Sequence, residues 1–306
     1  MRNYKLNLFG LLVLPYMLTA CGGGGLAPNA SSISISAATQ TISYGQTVNI
    51  NWIGHNIHDI SASSFPADGA ALTGSITDKP AVTTTYSITA WGLDSVHHSA
   101  TVTVNVAKGN KTILFVGDTA QSGVNQLIEF LQALTTQTVQ VSPNIPSSFT
   151  ADVVVLSPSA SITSADIPKV QGQLTVGKGV VLISEAAALL ATGNANDSDV
   201  SAIGSFCAGV TNLGNGGFYS LVDTSPVGIP FGANLLGKTG FTDTGISPIS
   251  ANAIPLTNAS GTSGFLYSPP IGGRIAFAGK APIDAAEFSV AIRSMLLAEV
   301  RWASGE

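Results

Sequence analysis

The stretch TILFVGD (residues 112–118) indicates the fold of the larger part of this chain. No polar residue interrupts its apolar run from Ile113 to Val116, and a Gly-Asp pair follows directly. A short strand that is apolar on both faces is typical of a parallel sheet covered by helices on both sides. We therefore predict that this stretch is a strand of an α/β layer structure.

Helical and strand patterns alternate along the rest of the chain, which extends this prediction. A first helix is predicted just after the Gly-Asp pair, where apolar residues recur at helical spacing. A second runs from its N-cap Ser164 to about Gly177, and a third begins near Pro282 with a capping box of Asp284 and Glu287. Further strands are predicted at 138–141, 153–156 and 180–183.

Four segments of residues 111–306 are similar to a known family. They are the first strand with its Gly-Asp pair, ADVVVL (151–156), GKGVVLI (177–183) and GRIAFAG (273–279). Together they resemble the class I glutamine amidotransferase-like domain, an α/β fold with a flavodoxin-like parallel sheet. The resemblance implies a catalytic cysteine at the turn after the fourth strand, together with a histidine and a glutamate.

The chain departs from that family at its catalytic residues. The turn after the fourth predicted strand reads Ser184-Glu185, and no histidine occurs in 111–306. A nucleophile needs a base within hydrogen-bond reach. We therefore expect no amidotransferase activity and no cofactor, and we interpret this domain as a binding or structural module.

A candidate ligand crevice lies at the carboxyl ends of the predicted parallel strands, where such sheets bind ligands. Asp118, Ser157, Ser184 and Glu185 are expected to line it. The enzymatic alternative is a hydrolase that uses the carboxylates of Asp118 and Glu185. The simpler interpretation is that all four residues are helix caps and turn residues.

Residues 33–107 follow a different pattern, in which apolar and polar residues alternate in short runs. This period of two is typical of an all-β sandwich. The segments YGQTVNINW (44–52) and TTTYSITA (83–90) resemble strands of bacterial Ig-like domains. The resemblance implies an Ig-like β-sandwich with Trp52 in its core and Tyr86 near a corner.

All four histidines of the chain, His55, His58, His97 and His98, fall in two predicted loops of this sandwich. In an Ig-like arrangement these loops meet at one end. Imidazole groups near carboxylates suit Zn, Cu or Ni, so a metal site is one hypothesis for this tip. Solvated polar loops without a metal are the alternative.

The first residues predict export and a lipid anchor. Arg2 and Lys5 precede a short apolar run, and the cleavage region reads LTAC (18–21). These features are typical of a secretory signal. LTAC also resembles the lipobox of bacterial lipoproteins, which implies a signal peptide at 1–20 and lipid on Cys21. The glycine-rich residues 21–32 are then a flexible tether.

The residue after the cysteine and the net charge of the processed chain limit the expected location and partners. Gly22 after the cysteine resembles outer-membrane lipoproteins, with the domains on either the periplasmic or the cell-surface face. Loss of Arg2 and Lys5 leaves 10 basic residues against 17 acidic ones, a net charge of −7. Such a charge disfavours nucleic acid. We expect an envelope or extracellular protein or glycan as the partner.

Overall fold

The computed structural model describes residues 30–62, 72–121, 123–183, 186, 189–190, 199–200, 210–221, 241–248, 254–255, 257–258, 264–269, 272–279 and 290–306. Several predicted features lie outside these residues. They are the signal peptide with Cys21, the turn Ser184-Glu185, and the start of the C-terminal helix with Asp284 and Glu287.

The described residues up to Val106 form seven strands in two facing sheets. The strands are β1 (Ser32–Ala37), β2 (Thr41–Ile42), β3 (Val48–His55), β4 (Ile57–Ala62), β5 (Thr73–Asp78), β6 (Thr84–Gly92) and β7 (His97–Val106). One sheet has the order β1-β3-β5 and the other β2-β7-β6-β4. All paired neighbours are antiparallel except β2 and β7. The predicted two-sheet sandwich is therefore confirmed.

The core of the sandwich consists of the apolar side chains that alternate along its strands. Ile50, Trp52, Ile88 and Val104 are all buried between the two sheets, as the period of two predicts. Tyr86 is also fully buried, and its hydroxyl donates a hydrogen bond to the buried carboxylate of Asp78. Burial raises the pKa of Tyr86, and the negative charge of Asp78 raises it further. The hydroxyl therefore keeps its proton and stays a donor.

Replacing Tyr86 with phenylalanine tests this buried hydrogen bond. Tyr86→Phe is expected to lower the free energy of unfolding by about 1–2 kcal/mol, because the buried Asp78 loses a donor. Urea denaturation measures the change. Asp78→Asn in the Tyr86→Phe background is the control, and it should recover part of the loss. An unchanged unfolding midpoint in Tyr86→Phe would contradict the prediction.

The sandwich has two distinct ends. At the first, Ser32 at the start of β1 pairs with His55 at the end of β3, and Ile57 pairs with Gly92. Ser31 is held there by donating to the carbonyl of Asn56, at 2.8 Å. We call this the entry end, because the described chain enters the sandwich here. The other end, where β7 finishes, we call the junction end.

Residues 113–303 contain the second group of elements. The strands are β8 (Ile113–Val116), β9 (Gln140–Ser142), β10 (Val153–Leu156), β11 (Gly179–Ile183), β12 (Asp199–Val200), β13 (Val210–Leu221), β14 (Phe241–Pro248), β15 (Ile254–Pro255), β16 (Thr257–Asn258), β17 (Gly264–Tyr267) and β18 (Arg274–Ala278). The helices are α1 (Val124–Gln132), α2 (Ile167–Thr175) and α3 (Val290–Ala303). A 3-10 turn, Ser164–Asp166, precedes α2.

The main sheet of this α/β unit has the order β15-β17-β18-β11-β10-β8-β9. Its members β9, β8, β10, β11 and β18 are parallel. Numbered along the chain, these five strands read 2-1-3-4-5, which is the flavodoxin-like order. β15 and β17 extend the sheet antiparallel at one edge. The predicted parallel sheet is confirmed, and β8 lies inside it, between β9 and β10.

The structure corrects two details of the predicted elements. The second strand of the unit is β9, Gln140–Ser142, rather than 138–141. The N-cap of α2 is Asp166 rather than Ser164, which lies inside the preceding 3-10 turn. Thr163 is the N-cap of that turn, and its amide and hydroxyl donate hydrogen bonds to the carboxylate of Asp166. A separate antiparallel sheet, β12-β13-β14 with β16 beside β13, lies between β11 and β18 in sequence and was largely missed.

A buried arginine joins the junction end of the sandwich to the α/β unit. Arg301 in α3 has a side chain only 2% exposed and forms a salt bridge with Glu306 at 2.8 Å. Its guanidinium also donates to the carbonyl of Ala107 at 3.2 Å and lies over the ring of Tyr44, 4.5 Å from the centroid. Ala81 belongs to the same apolar cluster as α1 and α3. The two units therefore share a packed interface.

This interface lies at the amino end of the parallel sheet. The chain leaves β7 at Val106, makes the Arg301 contact at Ala107, and enters β8 at Ile113. The carboxyl ends of the parallel strands therefore lie on the opposite edge of the sheet. Along the molecule, the entry end is therefore followed by the body of the sandwich, the junction and the parallel sheet. The carboxyl ends of the parallel strands come last, and we call them the carboxyl edge.

Candidate functional site

The structure brings two of the four predicted crevice residues together. β8 and β10 are parallel neighbours with Val116 opposite Leu156, so Asp118 and Ser157 follow at the same edge. Ser159 connects them: its hydroxyl accepts a hydrogen bond from the Asp118 amide at 3.1 Å and lies 2.9 Å from the Ser157 hydroxyl. Ser184 and Glu185 lie outside the described residues.

The same geometry shows what these groups do in the fold. Ser157 is fully buried, whereas Asp118 is exposed. The Asp118 carboxylate accepts a hydrogen bond from the amide of Ala120 at 2.9 Å, so it closes its own turn. Ser159 holds that turn against the neighbouring strand. The observed contacts therefore fit turn stabilisation, which is the simpler of the two predicted interpretations.

The sequence did not predict the role of Ser159 at this edge, although the residues around it are typical of a turn. The residues after β10 read SPSAS (157–161), a run of small polar residues directly at a strand end. Such runs favour turns whose hydroxyls bond to nearby backbone. The sequence did not indicate which of the three serines faces Asp118, because that depends on the path of the turn.

The described part of this edge offers hydroxyl groups and one carboxylate, and no histidine, lysine or cysteine among its contacts. A serine hydroxyl becomes a nucleophile only beside a base that can take its proton. The nearest hydrogen-bonding groups of Ser157 are the hydroxyl and the amide of Ser159. This arrangement lacks an activated nucleophile within the described residues.

The four histidines lie at the entry end, but in the strands β3, β4 and β7 and not in the two loops that the sequence predicted, and they do not converge on one point. His98 contacts the carboxylate of Asp94 at 3.1 Å. His58 and His97 instead lie against the ring of Trp91, at centroid distances of 6.5 and 3.6 Å. Within the described ranges, no group of three or more His, Cys, Asp or Glu residues could hold a metal ion. The described geometry gives no basis for a metal centre here.

Asp94 is the charged group that organises this end. Desolvation acts to raise the pKa of Asp94, but hydrogen bonds from the Val96 amide and from His98 and Ser31 together lower it below the usual value. The carboxylate accepts from the Val96 amide at 3.1 Å, which closes the turn between β6 and β7. Asp94 is therefore ionised at neutral pH and positions His98.

Two surface depressions lie away from the predicted crevice. One of about 400 Å³ lies beside α2 and is lined by residues that include Phe149, Lys169 and Gln173. Another of about 290 Å³ lies at the junction and is lined by residues that include Tyr44, Arg301 and Glu306. Neither includes Asp118 or Ser157.

No helix in the described ranges combines the length and the apolar character needed to cross a bilayer.

Comparison with known proteins gives weak likenesses. No protein-family model matches the chain, and no curated protein matches it significantly. Among solved structures it is similar to a ThuA-like protein from Bacteroides uniformis, with 14% identity over 65% of this chain and 94% of that one, at a TM-score of 0.44. It is also similar to a 2,6-sialyltransferase from a Photobacterium species, with 13% identity over 50% and 35% of the two chains, at a TM-score of 0.16.

Proposed function

We propose that this protein is a lipid-anchored envelope lipoprotein whose domains bind or support a partner without catalysing a reaction. Residues 1–20 are the signal peptide, and residues 21–32 tether the protein to a lipid on Cys21. Residues 33–107 form an Ig-like stalk. Residues 111–306 form an amidotransferase-like domain without the catalytic residues of that family. The anchor is in the outer membrane.

One observation carries the stalk role: the tether and the α/β unit adjoin opposite ends of the sandwich. Ser31 lies at the entry end, whereas Ala107 and Tyr44 contact Arg301 at the junction end. β7 has 10 residues, so it separates these ends by about 33 Å. The sheet order β1-β3-β5 facing β2-β7-β6-β4 also supports an Ig-like arrangement.

The contacts of the carboxyl edge support a role without catalysis, because they include no activated nucleophile among the described residues. Ser157 and Ser159 contact each other, and the Asp118 carboxylate is used by its own turn. The packed junction also supports a presenting role, because it fixes this edge on the side of the unit that faces away from the stalk. A partner from the envelope or from outside the cell, protein or glycan, would then meet this edge.

Substitution of Cys21 tests the anchor. In a Gram-negative host fed an alkyne-labelled palmitate, the wild type is expected to incorporate label and to fractionate with the outer membrane. Cys21→Ala should lose both properties, because the thiol that carries the lipid is gone. Cys207→Ala is the matched control and should behave as the wild type. Equal labelling of Cys21→Ala and wild type would overturn the proposal.

Two further measurements test the location and the absence of catalysis. Protease shaving of intact cells, with lysed cells as the control, separates a cell-surface from a periplasmic position of the α/β domain. Turnover of amide and ester substrates by the purified protein tests the catalytic alternative. Hydrolysis that Glu185→Gln abolishes would show an enzyme and contradict the non-enzymatic role.

A further inference from the structure

The entry end of the sandwich exposes a cluster of apolar side chains. The described residues contain six large hydrophobic side chains that are strongly exposed, and four of them, Ile53, Leu72, Leu93 and Val96, lie at this end. Leu93 and Val96 are 65% and 51% exposed. We call these four residues the apolar tip. Scattered exposed apolar residues are ordinary, but a cluster at one end indicates a contact surface.

Hydrogen bonds hold this cluster in one place. Ile53 in β3 pairs with Thr73, the residue after Leu72, and the Gly54 amide donates to the Leu72 carbonyl at 2.7 Å. Leu93 and Val96 belong to the turn between β6 and β7. That turn is closed by the Gly92 amide, which donates to the Val96 carbonyl at 2.9 Å.

The same contacts place the turn beside the start of the described chain. The Leu93 amide donates to the carbonyl of Asn56 at 2.8 Å, and the hydroxyl of Ser31 donates to that carbonyl as well. The Asp94 amide donates to the Ser31 hydroxyl at 3.3 Å. The apolar tip is therefore a fixed surface next to the point where the tether joins the sandwich.

The distance to the predicted anchor limits what can cover this surface. Residues 22–30 connect Cys21 to Ala30, and nine residues span at most about 30 Å even when fully extended. If lipid holds Cys21, the apolar tip cannot move farther than this from the bilayer. A second protein would have to fit into that narrow space, whereas the bilayer surface is already there.

Side-chain chemistry at the tip also fits a lipid interface. Trp91 is half-buried, with His97 and His58 against its ring. Tryptophan favours the region between headgroups and acyl chains, because its ring is apolar and its N–H is polar. Lys79 is the only lysine or arginine in 33–107, and it follows Asp78 at the junction end. An attraction of this end to lipid would therefore come from the burial of apolar side chains, and not from the charge of the lipid phosphates.

We infer that the apolar tip rests on the bilayer that holds the Cys21 lipid, with Leu93 and Val96 inserted between the headgroups. This inference rests on the proposed lipid anchor. Two contacts, the lipid and the tip, orient the stalk, whereas the lipid alone leaves it free to tumble on its tether. The α/β unit is then held away from the membrane at the far end of the sandwich.

Amide hydrogen exchange tests the inference on the full lipidated protein. The protein is reconstituted in phosphatidylethanolamine and phosphatidylcholine vesicles, and its exchange is compared with that of soluble Cys21→Ala. Peptides that cover residues 91–98 are expected to exchange about tenfold more slowly on vesicles, because inserted side chains exclude water from the turn. The protection should persist when the salt concentration is raised.

A pair of double variants separates the tip from a general effect of the membrane. Leu93→Ser with Val96→Ser should lose the protection while staying lipidated. Val141→Ser with Val176→Ser changes two exposed apolar residues of the α/β unit and should keep it. Both pairs are exposed, so both variants are expected to fold.

The outcomes distinguish the inference from the proposed function. Mass spectrometry of the N-terminal peptide and vesicle flotation first establish whether Cys21 carries lipid. A lipidated, floating protein whose residues 91–98 exchange as in Cys21→Ala overturns the tip contact and leaves the anchor standing. Protection that survives in the Leu93→Ser, Val96→Ser variant, or that disappears at high salt, also overturns it. A protein without lipid on Cys21 overturns both proposals.

Discussion

Arg301→Met is expected to lower the free energy of unfolding by about 3–5 kcal/mol, the usual cost of breaking a buried ion pair by removing one partner. The Arg301 side chain is 2% exposed and that of Glu306 is 17% exposed. Methionine keeps the apolar stem and removes the charge. Glu306 then loses its cation and Ala107 loses a donor at the junction. Urea denaturation followed by circular dichroism measures the loss.

The pair Arg301–Glu306 also allows a prediction about the additivity of two substitutions. Glu306→Gln alone should cost less than Arg301→Met, because Arg301 keeps the Ala107 carbonyl and the ring of Tyr44. In a double-mutant cycle the two losses are expected to be less than additive, since both remove one interaction. Additive losses would show that Arg301 and Glu306 act independently. That result would contradict the prediction that Glu306 holds the Arg301 guanidinium in its contacts with Ala107 and Tyr44.

Gly179→Val is expected to destabilise the α/β unit by about 2–3 kcal/mol, because added atoms must displace backbone. Gly179 begins the central strand β11, with Val153 and Arg274 as its neighbours. A Cβ atom at this position would overlap the carbonyl group of Ala303 at the end of α3. The helix cannot move away without opening the cluster that contains Phe115, Val181 and Trp302. Thermal and urea unfolding both report this loss.

Gly172→Ala is the matched control for that prediction. Gly172 lies inside α2, and a Cβ atom there meets nothing within 4 Å. Alanine should therefore stabilise the protein by about 0.5–1 kcal/mol, because glycine loses more backbone entropy in a helix. If Gly179→Val were tolerated as well as Gly172→Ala, the close packing of α3 on β11 would be wrong.

Much of the fold could be predicted from local patterns. The run Ile113 to Val116 and the runs at 153–156 and 180–183 became parallel neighbours, because segments without a polar face must be buried on both sides. The alternation around Trp52 and Tyr86 produced two sheets with one shared core. In both cases the side-chain period alone determines which face is buried.

The candidate site was predicted only in part. The positions of Asp118 and Ser157 just after two strands correctly predicted that both lie at one edge. They did not predict the contact through Ser159. The four histidines do lie at the entry end, although in strands β3, β4 and β7 and not in loops. His58 and His97 lie against Trp91, whereas His98 pairs with Asp94, because neighbouring residues of a strand point to opposite faces. A sequence shows that loops are near each other, and side-chain direction then decides whether their groups touch.

The sequence by itself determined the class and order of the two units, because the periods of two and of 3.6 residues are local properties of the chain. Only the tertiary structure decided that Arg301 is a buried junction residue and that four apolar side chains share the entry end. Arg301 lies 194 residues from Ala107, and Ile53 lies in one sheet whereas Leu93 lies in a turn between two strands of the other. Contacts over such separations depend on how whole elements pack, which no local period encodes.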